Sequence, residues 1–377
     1  MPIDRDIERS IEPDARAVLR ALAVSKNVII SGPPGTGKSR LLSRVRELFE
    51  WDHGSTGADP YGAIPLPPAP SPIPDWFPSP RRTASRETFP TVFDQNTKYR
   101  DFMRGLVPKV GAAAQFEVTS GTLYRASLHA ARDGQAALVI IDEINRGPAV
   151  AAFGSAIVGL EPDKRLGPDG ERTATTQEFE ILGDGGGHER FALPEDLYIL
   201  AAMNEADTSV EPLDVAFLRR FYPYRLEPNP AVLRAHFGLG APSAALPDAP
   251  SAPADLYEAL VQAWEVINGQ ILLGRGAPYR LGHGVLMPNP APTGSLADAD
   301  EYAAHVWAKI RAHIDEVFFG NTRAVADVLR ADEDRSPYTL VETTFAGQAV
   351  RRIAGPERPA PDELYRLLAL IASAASA

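Results

Sequence analysis

The residues with the clearest chemical meaning run from Ser31 to Ser39, in the order Ser-Gly-Pro-Pro-Gly-Thr-Gly-Lys-Ser. From the first glycine onwards they match G-x-x-x-x-G-K-[ST], the pattern of a phosphate-binding loop in nucleoside triphosphatases. In such a loop the glycines let backbone N–H groups turn towards the phosphates, the lysine reaches the β- and γ-phosphates, and the hydroxyl ligates Mg²⁺. We therefore expect a triphosphate to be bound by these residues: Gly32, Pro34, Gly35, Thr36, Gly37, Lys38 and Ser39.

The flanks of this loop have the patterns that the motif requires. A short apolar run, Asn27–Ile30, precedes it and is typical of a buried strand. After it, apolar residues from Leu41 to Phe49 recur at helical spacing. The alternative is an ordinary glycine- and proline-rich turn between a strand and a helix. A second motif argues against this alternative.

That second motif covers residues 136–143, Ala-Ala-Leu-Val-Ile-Ile-Asp-Glu. A continuous apolar run suits a parallel strand that is covered on both faces. We expect Asp142, at the strand tip, to hold Mg²⁺ through water and Glu143 to act as general base towards the attacking water. An acidic pair after a strand is by itself usually a solvated turn, but together with the loop it predicts a triphosphate site.

Further polar residues could complete this site. Asn204 directly follows the apolar strand Leu197–Met203, where open α/β sheets bind their ligands, and could orient the lytic water. The alternative is a simple strand-terminating asparagine. Arg219 and Arg220 end the next helix, where cations favour the helix dipole in any case. The functional alternative is an arginine finger that acts across a subunit boundary, and the residues alone do not decide between these two readings.

Composition excludes several classes of function. The chain has 377 residues, of which 44% are hydrophobic and 23% charged, values ordinary for a globular protein of two domains. Its lack of cysteine excludes disulfides and thiolate metal sites. We see no membrane-spanning run and no secretion signal, and expect a cytoplasmic location. The net charge of −11 argues against a self-sufficient DNA-binding domain, so DNA would be contacted through an assembly or a partner.

Alternating strand and helix patterns predict a parallel α/β core followed by a helical end. The predicted segments are an α/β nucleotide-binding domain over 1–227, a hinge over 228–253 and a helical lid domain over 254–377. A proline-rich insertion over 52–90 and a glycine-flanked hairpin insertion over 161–195 interrupt the first domain. We favour a solvated loop for the first insertion over a partner-binding clamp.

The ordered set of motifs resembles the AAA+ motor subunits of the McrB family and, more loosely, the MoxR-like ATPases. Typical of both groups is DEINRG at Asp142–Gly147, and EPDKR at Glu161–Arg165 points to McrB. Met203–Ser209 is similar to the family's MNTADRS segment, and Phe93–Phe102 to its TFHQSYSYEDF segment. In the helical end of the chain, Tyr279–His283 is also similar to the family.

The resemblance implies an AAA+ P-loop core, a parallel sheet sandwiched by helices, with a C-terminal all-α lid. It implies a hexameric ring with nucleotide between subunits, Asn204 as polar sensor, and Arg219 or Arg220 as the finger. It also implies Mg²⁺ and GTP as cofactors, with ATP as the alternative. A McrC-like nuclease partner would cut DNA in restriction or antiphage defence, and no membrane would be involved.

The chain departs from the family at several positions. Glu205 and Thr208 replace a threonine and an arginine of MNTADRS, and Leu218 precedes two arginines where the family has three. Only about thirty residues precede the loop, so we expect no recognition of modified bases by this chain alone. Two rival functions remain: a MoxR-like chaperone ATPase that remodels a protein partner, and a weakly hydrolysing, nucleotide-gated scaffold, which these substitutions favour.

Overall fold

The computed structural model describes residues 11–50, 73–109, 115–206, 213–243, 245–287 and 294–374. The chain forms two compact units. The first contains the residues up to Ser31 and then Lys38–Arg225, and the second contains Gly32–Gly37 and the chain from Leu226 onwards. The glycine loop is therefore grouped with the second unit, although its neighbours in sequence belong to the first.

The first unit alternates helices and strands. Its helices are α1 (Pro13–Ser25), α2 (Lys38–Glu50), α3 (Tyr99–Phe102), α4 (Thr122–Ala130), α5 (Ala149–Phe153) and α6 (Val215–Leu218). Its strands are β1 (Asn27–Ser31), β2 (Ser85–Val92), β3 (Arg104–Pro108), β4 (Phe116–Ser120), β5 (Gln135–Asp142), β6 (Phe179–Leu182), β7 (His188–Phe191), β8 (Leu197–Ala202) and β9 (Tyr222–Arg225). Short 3-10 turns cover Ile144–Arg146, Gly154–Gly159 and Pro162–Lys164.

A five-stranded parallel sheet forms the centre of this unit, in the order β2-β5-β8-β1-β9. All six residues of the central strand β8 are buried, as expected of a strand covered on both faces. On β5, Val139 and Ile141 pack with Leu123 of α4, while the alternate residues face the other side, where α1 and α2 pack. The predicted AAA+ fold class, a parallel sheet between helices with a helical C-terminal region, is thus confirmed.

The proline-rich insertion predicted for 52–90 falls largely outside the described residues, because 51–72 are not among them. In the described remainder, Ser85–Val92 form strand β2, so the expectation of a solvated loop does not hold for that part. Phe77 is buried, and the Arg86 guanidinium lies 4.3 Å from the centroid of the Phe49 ring. Pro90 lies inside β2, which a proline tolerates because β2 is at the sheet edge and one side needs no ladder donor.

Two antiparallel hairpins form separate two-stranded sheets beside the central five-stranded sheet. Strands β3 and β4 form one hairpin, and β6 and β7 form the other within the segment 161–195. Arg104 of β3 is buried and forms an ion pair with Asp184 in the turn between β6 and β7. The two hairpins are therefore fixed to each other by a charged contact.

Arg165, the last residue of the EPDKR segment, is almost completely buried at 1% exposure. Its guanidinium donates to the Asn27 side-chain oxygen at 2.7 Å and to the Leu160 carbonyl at 3.1 Å. The Asn27 amide in turn donates to the Leu160 carbonyl at 2.8 Å and to the Arg220 carbonyl at 3.0 Å. Because a buried guanidinium must find acceptors for its N–H groups, this residue cross-links the start of β1 to two connecting segments.

The second unit is mainly helical. Its helices are α7 (Pro230–His236), α8 (Pro253–Gly274), α9 (Leu296–Val317), α10 (Thr322–Val328) and α11 (Pro361–Ser373), with 3-10 turns at Ala277–Tyr279 and His283–Leu286. It also contains an antiparallel hairpin of β10 (Thr339–Phe345) and β11 (Gln348–Ala354), which the helical prediction for 254–377 did not include. Trp264 and Trp307 lie in its core, and both indole N–H groups are hydrogen-bonded.

The segment predicted as a hinge, 228–253, contains helix α7. Asn229 caps this helix by accepting from the Ala231 N–H at 2.9 Å, and Pro230 occupies the first helical position. Arg234 forms a buried ion pair with Glu258 of α8 at 2.7 Å. The proline and alanine content suggested a linker, but the cap and the ion pair stabilise a helix there.

Within the described residues, no helix is both long and apolar enough to cross a membrane.

Candidate functional site

The carboxyl edge of the parallel sheet brings a hydroxyl and a carboxylate together. Ser39 lies in the first turn of α2 and Asp142 at the end of β5, and the Ser39 hydroxyl donates to Asp142 Oδ2 at 3.2 Å. The other carboxylate oxygen, Oδ1, accepts from the Glu143 backbone N–H at 3.0 Å. Both oxygens of Asp142 are therefore oriented by hydrogen bonds within the chain.

Glu143 has a strained backbone and a restrained side chain. Its φ of 54° lies in the left-handed region, which costs a non-glycine residue roughly 1–2 kcal/mol. Asn204 Nδ2 lies 2.8 Å from Glu143 Oε1 and 3.0 Å from Oε2, so one amide group holds both oxygens. Backbone strain of this kind is often found at functional sites. The two residues follow β5 and β8, which are neighbours in the sheet.

Asn145 is a positioning residue that the sequence analysis did not single out. Its side chain is buried and donates to the Asn204 backbone carbonyl at 2.9 Å. This hydrogen bond ties the turn after β5 to the end of β8. Asn145 belongs to the DEINRG motif, but the motif does not indicate which residue its side chain contacts.

Lys38 is nearly buried, with 9% of its surface exposed. Burial lowers the pKa of Lys38 from its ordinary value, while the carboxylates of Glu143, Asp142 and Glu205 act in the opposite direction. A lysine that has lost much of its hydration beside several carboxylates is suited to binding a polyanion. Added negative charge would favour the ammonium form further.

Two arginines balance the negative charge of this edge. Arg146 Nε lies 3.4 Å from Glu143 Oε2, and Arg225 at the end of β9 lies 2.8 Å from Glu205 Oε2. Glu205 differs from the family pattern in the sequence, and the structure shows that it pairs with this arginine. The substitution therefore adds an ion pair beside Lys38 rather than an isolated negative charge.

The donor set fits Mg²⁺. Among the described residues there is no group of three or more histidines, cysteines, aspartates or glutamates that could hold a metal ion. Mg²⁺ in phosphate sites needs no such cage, because it keeps several waters and takes one or two protein oxygens together with phosphate oxygens. The oriented pair of Ser39 and Asp142 supplies oxygen donors of this kind.

The glycine loop itself, described within the second unit, has the backbone that the motif requires. Gly35 and Gly37 have φ values of 77° and 87°, in the left-handed region where a side chain would be strained. The Thr36 hydroxyl donates to the Pro33 carbonyl at 2.9 Å. A turn of this kind directs successive N–H groups to one side, which forms an anion-binding concavity.

The structure distinguishes the two arginines that the sequence left equivalent. Arg220 is mostly buried: its Nε lies 3.6 Å from Glu161 Oε1, and its guanidinium donates to the Ala216 carbonyl one turn earlier. Arg219 is exposed and has no ion-pair partner among the described residues. Among the described residues, therefore, Arg220 is held by contacts within the chain, whereas Arg219 is exposed.

Comparison with known proteins agrees with this geometry. Residues 24–152 match the family model of an AAA domain. The McrB subunit of the type IV methyl-directed restriction enzyme EcoK from Escherichia coli K12 is 27% identical over 279 residues, which cover 72% of this chain. The chain is a P-loop nucleoside triphosphatase that contains an AAA domain and is similar to McrB.

A second curated relative of this chain is YdiS, a component of the type II restriction enzyme BsuMI from Bacillus subtilis 168. It is 30% identical over 219 residues, or 54% of this chain. The chain spans about half the length of these relatives, 50% of McrB and 57% of YdiS. Among solved structures, NtrX from Brucella abortus aligns over 86% of this chain and 67% of its own, with 13% identity and a TM-score of 0.31.

Proposed function

We propose that this chain is a Mg²⁺-dependent, ring-forming NTPase motor that acts with a nuclease partner in DNA restriction. The observation that carries the proposal is the group formed by Ser39, Asp142, Glu143 and Asn204 at the carboxyl edge of the sheet. The similarity of the chain to two proteins of restriction systems supports the proposed role in DNA restriction.

Each residue of this group has a distinct role in the proposal. Lys38 and the loop amides bind the phosphates, and Ser39 with Asp142 would hold Mg²⁺. When bound, the ion would neutralise charge on the β- and γ-phosphates. Glu143 accepts a proton from the attacking water, and Asn204 fixes the position of that carboxylate.

Assembly completes the site in this proposal. Arg219 is exposed at the end of α6, and in this proposal it contacts the nucleotide of a neighbouring subunit as an arginine finger. Hydrolysis would then require the ring, for which six subunits are expected from the resemblance to McrB. A net charge of −11 is consistent with DNA being contacted through the assembly or the nuclease partner.

A weakly hydrolysing scaffold is the second candidate, and one observation favours it. Both carboxylate oxygens of Glu143 are engaged by Asn204, which restrains the proposed base. If the contact persists when nucleotide is bound, Glu143 accepts a proton poorly and nucleotide binding rather than turnover becomes the functional event.

Steady-state hydrolysis of GTP and ATP distinguishes these functions. The purified chain should hydrolyse GTP in preference to ATP, should lose all turnover in EDTA, and should respond to duplex DNA only when a McrC-like nuclease subunit is also present. Preference for ATP with no response to the nuclease subunit would favour a chaperone ATPase instead. Tight binding with negligible turnover under every condition would favour the scaffold.

A further inference from the structure

A short segment of the helical unit is hydrogen-bonded directly to the glycine loop. The Gly282 N–H donates to the Pro34 carbonyl at 3.0 Å, and the Gly284 N–H donates to the Gly35 carbonyl at 2.8 Å. All four residues belong to the second unit. We refer to Leu281–Gly284 as the loop clasp.

These two hydrogen bonds determine the direction of loop amides that a phosphate would need. In a planar trans peptide the C=O and the following N–H point to opposite sides. Because the Pro34 and Gly35 carbonyls point to the loop clasp, the N–H groups of Gly35 and Thr36 point away from it. Convergent N–H groups of this kind bind anions, so the clasp orients donors that it does not itself contain.

The loop clasp is in turn fixed to the core of the helical unit. The Leu281 N–H donates to the Asn268 side-chain oxygen at 2.7 Å. The Leu281 carbonyl accepts from the Asn268 amide at 2.9 Å and from the Trp264 indole at 3.0 Å. Both side chains lie on α8 and are buried. Hydrogen bonds therefore connect α8 to Leu281, and the next residues of the loop clasp are hydrogen-bonded to the phosphate-binding loop.

Gly282 is required at its position by space and not by backbone conformation. Its φ of −68° and ψ of 152° are accessible to any residue. A Cβ there would lie 2.1 Å from the Gly35 carbonyl carbon and 2.5 Å from the Pro34 oxygen, both backbone atoms that cannot move independently. A Cβ on Gly284 would lie 2.9 Å from the Gly35 oxygen, a smaller overlap.

We propose that the loop clasp is a positioning element of the phosphate cradle, with Gly282 as its critical residue. The inference rests on the proposed nucleotide-binding function and extends it. It assigns the orientation of the Gly35 and Thr36 amides to the helical unit, so a change in that unit alters the grip on the phosphates without touching Lys38 or the acidic residues.

The test compares Gly282→Ala and Gly284→Ala with the control Gly269→Ala. Gly269 lies on the exposed side of α8, and a Cβ there meets no atom within 4 Å. The probes are Mg·GTP, Mg·ATP and inorganic triphosphate with Mg²⁺, titrated by calorimetry. KM, kcat and the thermal unfolding midpoint are measured for each full-length variant.

Gly282→Ala should weaken binding of all three probes roughly tenfold, because a misdirected loop N–H group would lose about one hydrogen bond to the phosphates. Gly284→Ala should give a smaller loss in the same direction, and Gly269→Ala none. KM should rise more than kcat falls. A purely structural defect would do the opposite, because partial unfolding removes active molecules and leaves KM unchanged.

Parental affinity in Gly282→Ala would overturn the inference. So would a loss confined to one base, because a cradle defect acts on the phosphates that all three probes share. If Gly282→Ala does not fold, Gly284→Ala decides by the same criteria. The proposed function is tested separately: if Lys38→Ala loses binding while both clasp variants retain it, the function stands and the clasp has no positioning role.

Discussion

Replacing Glu143 by glutamine should lower steady-state hydrolysis by about 10²–10⁴-fold and leave Mg²⁺–triphosphate binding close to that of the parent. Glutamine has the shape of glutamate but cannot accept a proton at neutral pH. Its amide oxygen can still accept from Asn204, which lies 2.8 Å from the native carboxylate, so the local geometry is retained. The loss should therefore appear in kcat rather than in the dissociation constant.

Glu180→Gln is the matched control for this measurement. Glu180 is an exposed carboxylate on β6, in the same unit but in the hairpin segment. It should hydrolyse nucleotide at the parental rate. If Glu143→Gln also turned over at the parental rate, another group would have to be the base.

Replacing Arg219 by alanine should lower turnover by about 10³-fold or more, the usual contribution of an arginine finger. The thermal unfolding midpoint should stay unchanged, because the Arg219 side chain is exposed. Arg220→Ala is the informative comparison. Its guanidinium is held by Glu161 and Ala216, so its loss should lower the unfolding midpoint, and any loss of activity should follow the loss of folded protein.

Mixed assemblies test whether Arg219 acts in trans. Arg219→Ala subunits keep Glu143, and Glu143→Gln subunits keep Arg219, so a shared interface can contain one intact site. Mixing two inactive variants should therefore restore part of the hydrolysis. No recovery in assemblies that demonstrably contain both variants would mean that Arg219 does not act across a subunit boundary.

The sequence predicts the parts of this site that depend on local patterns. The loop, the strand ending at Asp142 and the strand before Asn204 were all placed from short apolar runs and the residues that follow them. Parallel strands bring their carboxyl ends to one edge, and this geometry accounts for the contact between Glu143 and Asn204. The parallel α/β core was predictable from the same alternating patterns, whereas the AAA+ class was implied by the resemblance to the McrB family.

Contacts between distant segments were not predictable in this way. Arg165 and Arg86 look like surface cations in the sequence, yet Arg165 is buried and Arg86 is half-buried. Carbonyl oxygens far along the chain, those of Leu197 and Phe49 respectively, accept N–H groups of the two guanidinium groups. The Arg86 guanidinium also lies 5.0 Å from the centroid of the buried Phe77 ring, a contact that no short pattern encodes. The hydrogen bonds from Gly282 and Gly284 to the loop likewise join segments about 250 residues apart, so periodicity gave no signal for them.

Other differences came from composition that two structures can share. Proline-rich sequence at Pro90 suggested an insertion, but an edge strand accepts a proline. Alanine and proline around Pro230 suggested a hinge, but proline also begins helices. In each case the position of the proline in the sheet or helix determines whether it is tolerated. That position becomes known only when the neighbouring elements are placed.

The most direct test of the account is calorimetric titration of Mg·GTP and Mg·ATP into the parent and into Lys38→Ala. The account predicts Mg²⁺-dependent binding of at least one nucleotide by the parent, and affinity about 10²-fold weaker when the buried ammonium is removed. Lys109→Ala, at an exposed lysine after β3, should bind as the parent does. Equal affinity of Lys38→Ala and parent, or binding unaffected by EDTA, would contradict the central claim that this edge of the sheet grips a magnesium triphosphate.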